Sequence, residues 1–441
     1  MKRTWSYLIF VLVGASISLV WAVTMSNPAH LNWSTWAYSD WLINYDTGFI
    51  RRGMSGWLIQ SMRGGEGDVS AVNLLVFANY ASLSVLLMWT WLRSRARNPA
   101  AIALAILVPG GLFQMAIGNA FFFRKEIVFH IALGIDCILY SAIARTTVMA
   151  EARKLRAAWV LVLLFAAQSV LMPLLHEAYA FISFPAAWLI ARRVAAMFPQ
   201  QRALGRIVKA TVLVQIVMFV VCAMFKGNPE IANQMWHTLA PADRSLISPD
   251  SPAVPTGGIS AIGWSTSFNL AGVLHMFLAG QFWIWGFAGA GIAGVLVLVT
   301  LWNGRGYGLA DSEMLRRHMA QLGFLFLAST PMYLLGVDWG RWLSSVTISY
   351  LLLLFVDGGA SVSPPGVLQL VPQRLRRRVS GAFDFTAQDV AQSVSISTGR
   401  HRKALFLLAL FFCLTFRAPE CCMTLGSPFY RLKPVLEQIF R

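Results

Sequence analysis

The chain has 441 residues, 57% of them hydrophobic and only 12% charged, with a net charge of +17 at neutral pH. That composition excludes a soluble protein of two or three domains, because apolar runs near the ~20 residues that match a bilayer's hydrocarbon thickness recur from end to end. The positive residues sit in short loops between those runs, the positive-inside pattern, so the charge implies no nucleic-acid partner.

Met1, Lys2 and Arg3 precede a first apolar run from Trp5 to Val23. It reads as a retained signal anchor, because no convincing small-residue cleavage site follows it. Further spans are predicted at 70–92, 99–118, 127–149, 157–176, 178–195, 208–225, 281–302, 319–337, 341–357 and 404–416. The expectation is an all-α polytopic membrane protein of about eleven transmembrane helices, one transmembrane domain over residues 1–441. With the N-terminus cytoplasmic, Arg93, Arg95, Arg97, Arg153, Lys154, Arg156, Arg192, Arg193, Arg316, Arg317, the Arg374 to Arg378 cluster and Arg400 to Lys403 share the cytoplasmic side. Most of the 36 Lys and Arg then lie inside, and an odd number of spans leaves the tail from Arg417 outside. The membrane expected is the cytoplasmic (inner) one.

Two long loops are expected outside, at 25–69 and 226–270. The second carries Pro249, Pro252, Pro255, Gly257 and Gly258, which no single regular element accommodates. Inside, the basic loop 358–403 interleaves Val367, Leu368, Val371, Leu375 and Val379 with Arg374, Arg376, Arg377 and Arg378. That pattern suggests a helix lying on anionic membrane lipids, with a partner contact as the alternative and Pro372 weighing against a helix. Asn269 to Gly280, with His275, reads as a short interfacial or re-entrant segment, and Asp136 is the clearest mid-membrane charge. Cys137, Cys222 and Cys413 fall in predicted helices, Cys421 and Cys422 are adjacent, and none has zinc-ligand spacing. No internal repeat of the kind found in inverted-repeat transporters is evident.

Four short polar clusters fall on the predicted outer side. The first is Asn44 to Gly53, containing Asp46, Arg51 and Arg52, with Asp40 ahead of it. An arginine pair is shaped to hold phosphate oxygens, and a neighbouring carboxylate can act as a base; an Asp–Arg pair that only pins the loop is the alternative. The second is Arg124, Lys125 and Glu126, with His130 one turn deeper on the same helical face; here a ligand site competes with snorkelling side chains. The third is His176 and Glu177 at a helix end, where a carboxylate needs a partner or a task. The fourth runs from Asp338 to Trp342: Asp338 and Arg341 can pair on one helical face, while Trp339 and Trp342 offer flat faces for pyranose rings or serve in an aromatic belt. Topology brings all four to one membrane level, which suggests a composite site.

The loop NYDTGFIRRG and the segments FRKE, HE and DWGRW, set on about eleven spans, resemble the polar signatures of GT-C membrane glycosyltransferases and of Wzy-type polymerases of bacterial surface polysaccharides. The resemblance implies glycosyl transfer from a polyprenyl-phosphate or polyprenyl-diphosphate carrier at the outer face. By position it makes Asp46 or Asp40 the base and Arg51, Arg52, Arg124 and Arg341 the phosphate ligands. The WWDYG motif of oligosaccharyltransferases is absent from the sequence.

For such a donor the protein must position an acceptor hydroxyl, take its proton and stabilise the departing phosphate. The catalytic candidates are Asp46, Glu177, Asp40 and Asp338. Substrate binding falls to Arg51, Arg52, Arg124, Lys125, Glu126, His130, His176, Arg341, Trp339 and Trp342. No cofactor is required, although a Mg²⁺ between carboxylate and phosphate is compatible with the chemistry. Expected partners are the lipid-linked glycan, membrane lipids and other polysaccharide-assembly proteins. The competing readings are a flippase or exporter of lipid-linked glycans and a non-catalytic subunit of an assembly complex.

Overall fold

The computed structural model describes residues 34–63, 68–93, 98–111, 124–145, 150–304, 312–357 and 399–416, together with Gly14. From Ser34 on, the described helices are the short α1 (Ser34–Trp41) and α2 (Met54–Arg63), and then α3 (Val69–Arg93), α4 (Pro99–Leu107), α5 (Glu126–Arg145) and α6 (Glu151–Leu175). The one-turn α7 (Tyr179–Ile182) leads to α8 (Phe184–Met197) and α9 (Arg202–Met224). A chain of short pieces follows: α10 (Pro229–His237), α11 (Pro241–Ile247) and α12 (Gly257–Ser260). The rest are α13 (Thr266–Leu278), α14 (Phe282–Gly304), α15 (Ser312–Leu335), α16 (Trp339–Asp357) and α17 (Gly399–Thr415). Among the described residues there is no strand.

Among the described residues six helices, α3, α5, α6, α9, α14 and α16, are long and apolar enough to cross a membrane. The predicted span 178–195 is instead broken: α7 ends at Ile182 and α8 restarts with Pro185 in its first turn, where a residue without an N–H is at home. Of the span predicted at 99–118, residues 112–118 lie outside the described residues, and a helix runs from Pro99 to Leu107. Beyond it Gly110 takes φ +81° against α16, where a Cβ would lie 2.8 Å from Ser344 Cα. Apart from Gly14, the first predicted span lies outside the described residues, as do the basic segment 358–398 and the tail from Arg417 with Cys421 and Cys422.

Helix α16 is almost entirely buried and packs against α3, α5, α14 and α15. It is also rich in hydroxyls, which an apolar interior tolerates because they bond back to their own helix. Ser344 Oγ donates to Gly340 O at 2.9 Å and Thr347 Oγ1 to Leu343 O at 2.8 Å. Helix α13, 13 residues long, leaves Phe268, Leu270, Leu274, Phe277 and Leu278 exposed.

The segment from α10 to Trp264 folds back over α1. Gly258 N donates to Ser39 Oγ at 2.8 Å, Asn44 Nδ2 to Thr238 Oγ1 at 3.2 Å, and Trp36 meets Trp264 edge to face at 5.3 Å. Gly258 approaches so closely that a Cβ there would stand 2.7 Å from Asp40 Cα. The two long loops thus form one cap over one end of the bundle.

Candidate functional site

The turn between α1 and α2 is built on two left-handed residues, Gly48 at φ +106° and Arg52 at φ +68°. Glycine adopts this conformation freely, whereas any residue with a Cβ is disfavoured by about 1–2 kcal/mol, so Arg52 must be held there. Its carbonyl accepts from Lys125 Nζ at 3.1 Å. Its Nε donates to Glu177 Oε2 at 2.8 Å, a second guanidinium nitrogen bonds Glu177 Oε1, and Asp40 Oδ1 lies 3.8 Å away. Arg51 adds a contact to Glu177 Oε1 at 3.2 Å, and its backbone N–H donates to Phe225 O at 2.9 Å, tying the turn to the end of α9.

Behind this layer lies a second one. His176 Nδ1 accepts from Ala178 N at 3.1 Å, so the neutral ring carries its proton on Nε2, 3.8 Å from Glu126 Oε1. Arg341 bridges Glu126 at 3.2 Å and Asp338 at 3.0 Å, with its guanidinium 4.1 Å over the Trp342 ring. The four polar clusters are therefore one connected network.

Electrostatics keep its members in defined charge states. Burial favours a neutral Glu177, but the Arg52 and Arg51 guanidiniums hold its carboxyl well below the usual range. Asp40 behaves alike: burial raises it, but Lys125 and Arg52 bring it below its ordinary value. Burial pushes His176 well below its ordinary value, leaving the ring neutral, and pushes Lys125 down to about 8.

In front of the network lies a cavity of about 630 Å³. Its cationic lining is Arg51, Arg52, Arg124, Lys226 and Arg341, and its acidic lining Asp40, Glu177 and Asp338, five charges against three. The arginines 51, 52 and 341 are spent on carboxylates, but Arg124 and Lys226 have no ion-pair partner among the described residues. Arg124 Nε is buried without a hydrogen bond, and its guanidinium stands 5.9 Å over Trp36. The other wall is apolar, from Phe219 and Ala223 near the end of α9 and Met332 and Leu335 near the end of α15. Such a lining suits an amphiphile with an anionic head.

Not every predicted site residue reaches this cavity. Asp46 is exposed on the turn and hydrogen-bonded by Gln60 Nε2 at 2.6 Å. Lys125, Glu126 and His176 are buried behind the wall, and His130 lies deeper, with neither ring nitrogen hydrogen-bonded. Trp339 packs on Trp285 and donates to Gly336 O at 2.9 Å, so its faces are not presented to the cavity, whereas Trp342 lines it. Lys226, Trp36 and Trp264 line the cavity unanticipated. The signal for Lys226 was present: like Arg124, it is a cation at the predicted outer end of a span. Among the described residues no group of His, Cys, Asp and Glu is placed to hold a metal.

Six membrane-length helices and a capped, charged cavity at one end of the bundle define a polytopic helical membrane protein. The chain belongs to the family described as uncharacterised membrane protein Rv1490, whose profile matches residues 6–244, more than half of its length. That stretch contains every described residue of the network and cavity up to Lys226, and the pair Asp338 and Arg341 lies beyond it. No curated protein and no solved structure matches the chain.

Proposed function

We propose that the protein transfers or polymerises sugar units carried on polyprenyl phosphate or diphosphate, at the outer face of the cytoplasmic membrane, for cell-surface polysaccharide synthesis. The observation that carries this reading is one cavity holding an unpaired Arg124, the ionised Asp40 and an apolar wall between α9 and α15. The carrier's phosphates fit Arg124 and Lys226, and its chain fits the apolar wall. The reading keeps eleven spans, as expected from ~20-residue apolar runs, with the N-terminus cytoplasmic and the C-terminus outside, which turns the capped end outward.

Asp40 is the base. Glu177 is gripped by two arginines, Asp46 is outside the cavity, and Asp338 is paired with Arg341. Asp40 touches its cations only at 3.8 and 3.9 Å, and its Oδ1 has no hydrogen bond. The bond from the anomeric carbon to the phosphate oxygen breaks, the acceptor oxygen bonds that carbon, and the acceptor proton passes to Asp40. A weakly basic carboxylate suffices because the leaving group is good and the acceptor becomes acidic as it attacks. Grouping of Arg51, Arg52, Arg124 and Arg341 around one cavity at one end of the bundle supports transfer over export, which needs a hydrated cationic path along it.

Single Arg51→Ala, Arg124→Ala, Glu177→Ala and Asp338→Ala variants test the proposal by polymer length on cells. Accumulation of single repeat units is expected, and long-chain polymer in all four would sink it.

A further inference from the structure

Lys125 is a cation that never meets the cavity. Its side chain is 0% exposed, and three oxygens from three parts of the chain surround its ammonium. Nζ donates to Arg52 O at 3.1 Å on the α1–α2 turn and to Leu175 O at 3.4 Å, one of the carbonyls left unpaired at the end of α6. Asp40 Oδ1 on α1 lies 3.9 Å away. The ammonium thus makes two hydrogen bonds to backbone carbonyls, with the Asp40 carboxylate as a nearby opposite charge.

One of those acceptors belongs to the strained residue of the site. Arg52, at φ +68°, points its guanidinium across Glu177 and towards Asp40. While Arg52 engages these two carboxylates, neither forms an ion pair with Arg124 on the cavity wall. Hydrophobic residues of Lys125's size would fill the same volume, yet would leave Arg52 O and Leu175 O without their donor.

The geometry points to Lys125 as a positioning residue: by anchoring the Arg52 carbonyl, it keeps Arg52 turned onto Glu177 and Asp40 and so leaves Arg124 open to an anionic ligand. The anchoring rests on the distances alone, and only its consequence for ligand rests on the transferase reading.

The test uses the full chain in lipid nanodiscs, with Lys125→Met, Arg52→Ala and the double variant. Without ligand, hydrogen exchange at the amides of Gly53 and Gly56, which bond Ile50 O and Ile43 O, reports the turn directly. Lys125→Met should speed it by about tenfold or more, because the turn loses its anchor. Lys125→Gln, still a donor but shorter, should fall between, and it decides the matter if Lys125→Met does not fold. Unchanged exchange in the folded variant overturns the proposal. With geranyl diphosphate as the probe, read by tryptophan fluorescence, Lys125→Met and Arg52→Ala should each weaken binding about tenfold. The double variant should bind no worse than the weaker single one, since the two changes act through the same residue. Fully additive losses would also overturn the proposal. If the wild type binds no geranyl diphosphate while exchange rises as expected, the ligand reading falls and the anchoring stands.

Discussion

Arg52 and Glu177, 125 residues apart in sequence, meet through a two-pronged hydrogen bond, with Arg52 Nε 2.8 Å from Glu177 Oε2 and a second nitrogen on Oε1. A planar fork on a planar carboxylate fixes orientation as well as distance. The α1–α2 turn is therefore locked to the end of α6, and Glu177 is committed to structure.

Glu177→Gln should accordingly act on stability. It leaves Arg51 and Arg52 facing a neutral amide in a site where both are about four-fifths buried. Breaking a buried pair from one side costs about 3–5 kcal/mol, and the partial exposure here points to the lower end. Denaturation in nanodiscs checks this, and an unchanged midpoint would show that the pair carries no weight.

The same network sets a pH dependence with two arms. Glu177 and Asp40 are held below their ordinary values of about 4.3 and 3.9. Their contribution is complete above those values and is lost as pH falls through the depressed folded ones, so the thermal midpoint should drop below about pH 4. Lys125 works oppositely: burial disfavours its charged form, giving about 8 in the fold against about 10.4 in the open chain. Between those values the unfolded chain binds more protons, so stability should rise with pH. Lys125→Met should remove that rise, as midpoints measured from pH 3 to 10 would show.

Much of this site was legible in the sequence because charges are costly beside apolar spans and stand out there: Arg51, Arg52, Arg124, Glu177 and Arg341 were each flagged by position. Depth was not legible. Arg124 and Lys125 are neighbours in the chain, yet one faces the cavity and the other is sealed behind it, a difference set by the turn that leads into α5. Asp40 and Asp46 were equally good bases on paper, because sequence spacing says nothing of which side of a turn a carboxylate takes. In the fold, the break at Ser183 was marked by Pro185, but a mostly apolar run from 178 to 191 concealed it.

Arg124→Ala should separate binding from folding. With no ion pair to lose, the variant gives up only its contact over Trp36, about 0.5–1 kcal/mol. A charged hydrogen bond to an anionic ligand is worth about 1.5–3 kcal/mol, so affinity for geranyl diphosphate should fall about 10–100-fold. Calorimetry in nanodiscs measures it. Equal affinity in the variant would remove Arg124 from the site.

Gly258→Ala tests the cap. The added methyl would meet the Asp40 backbone at 2.7–2.8 Å, a contact that only a backbone shift relieves. Overpacking of this kind costs about 1–3 kcal/mol and should also displace Asp40. Gly272→Ala is the control, since its Cβ would meet only Val337 Cγ1 at 3.5 Å. The expected result is a lowered midpoint and weakened transfer in the first variant with neither in the second.

Asp40→Asn and Asp46→Asn divide the two carboxylates that the sequence left equivalent. Asp40 lines the cavity between Arg52 and Lys125, and its amide would have no basic oxygen to accept the acceptor's proton. Asp46 is exposed, and an asparagine there keeps an acceptor for Gln60. Loss of a general base costs about 10²–10⁴-fold in rate, so Asp40→Asn should abolish detectable chain extension from a polyprenyl-diphosphate-linked oligosaccharide, while Asp46→Asn extends at the wild-type rate. Ligand affinity separates chemistry from binding: removing a negative charge beside the phosphates should leave geranyl diphosphate bound as well or better in Asp40→Asn. The opposite ranking of the two variants would move the base onto the exposed turn, and the cavity would then need another role.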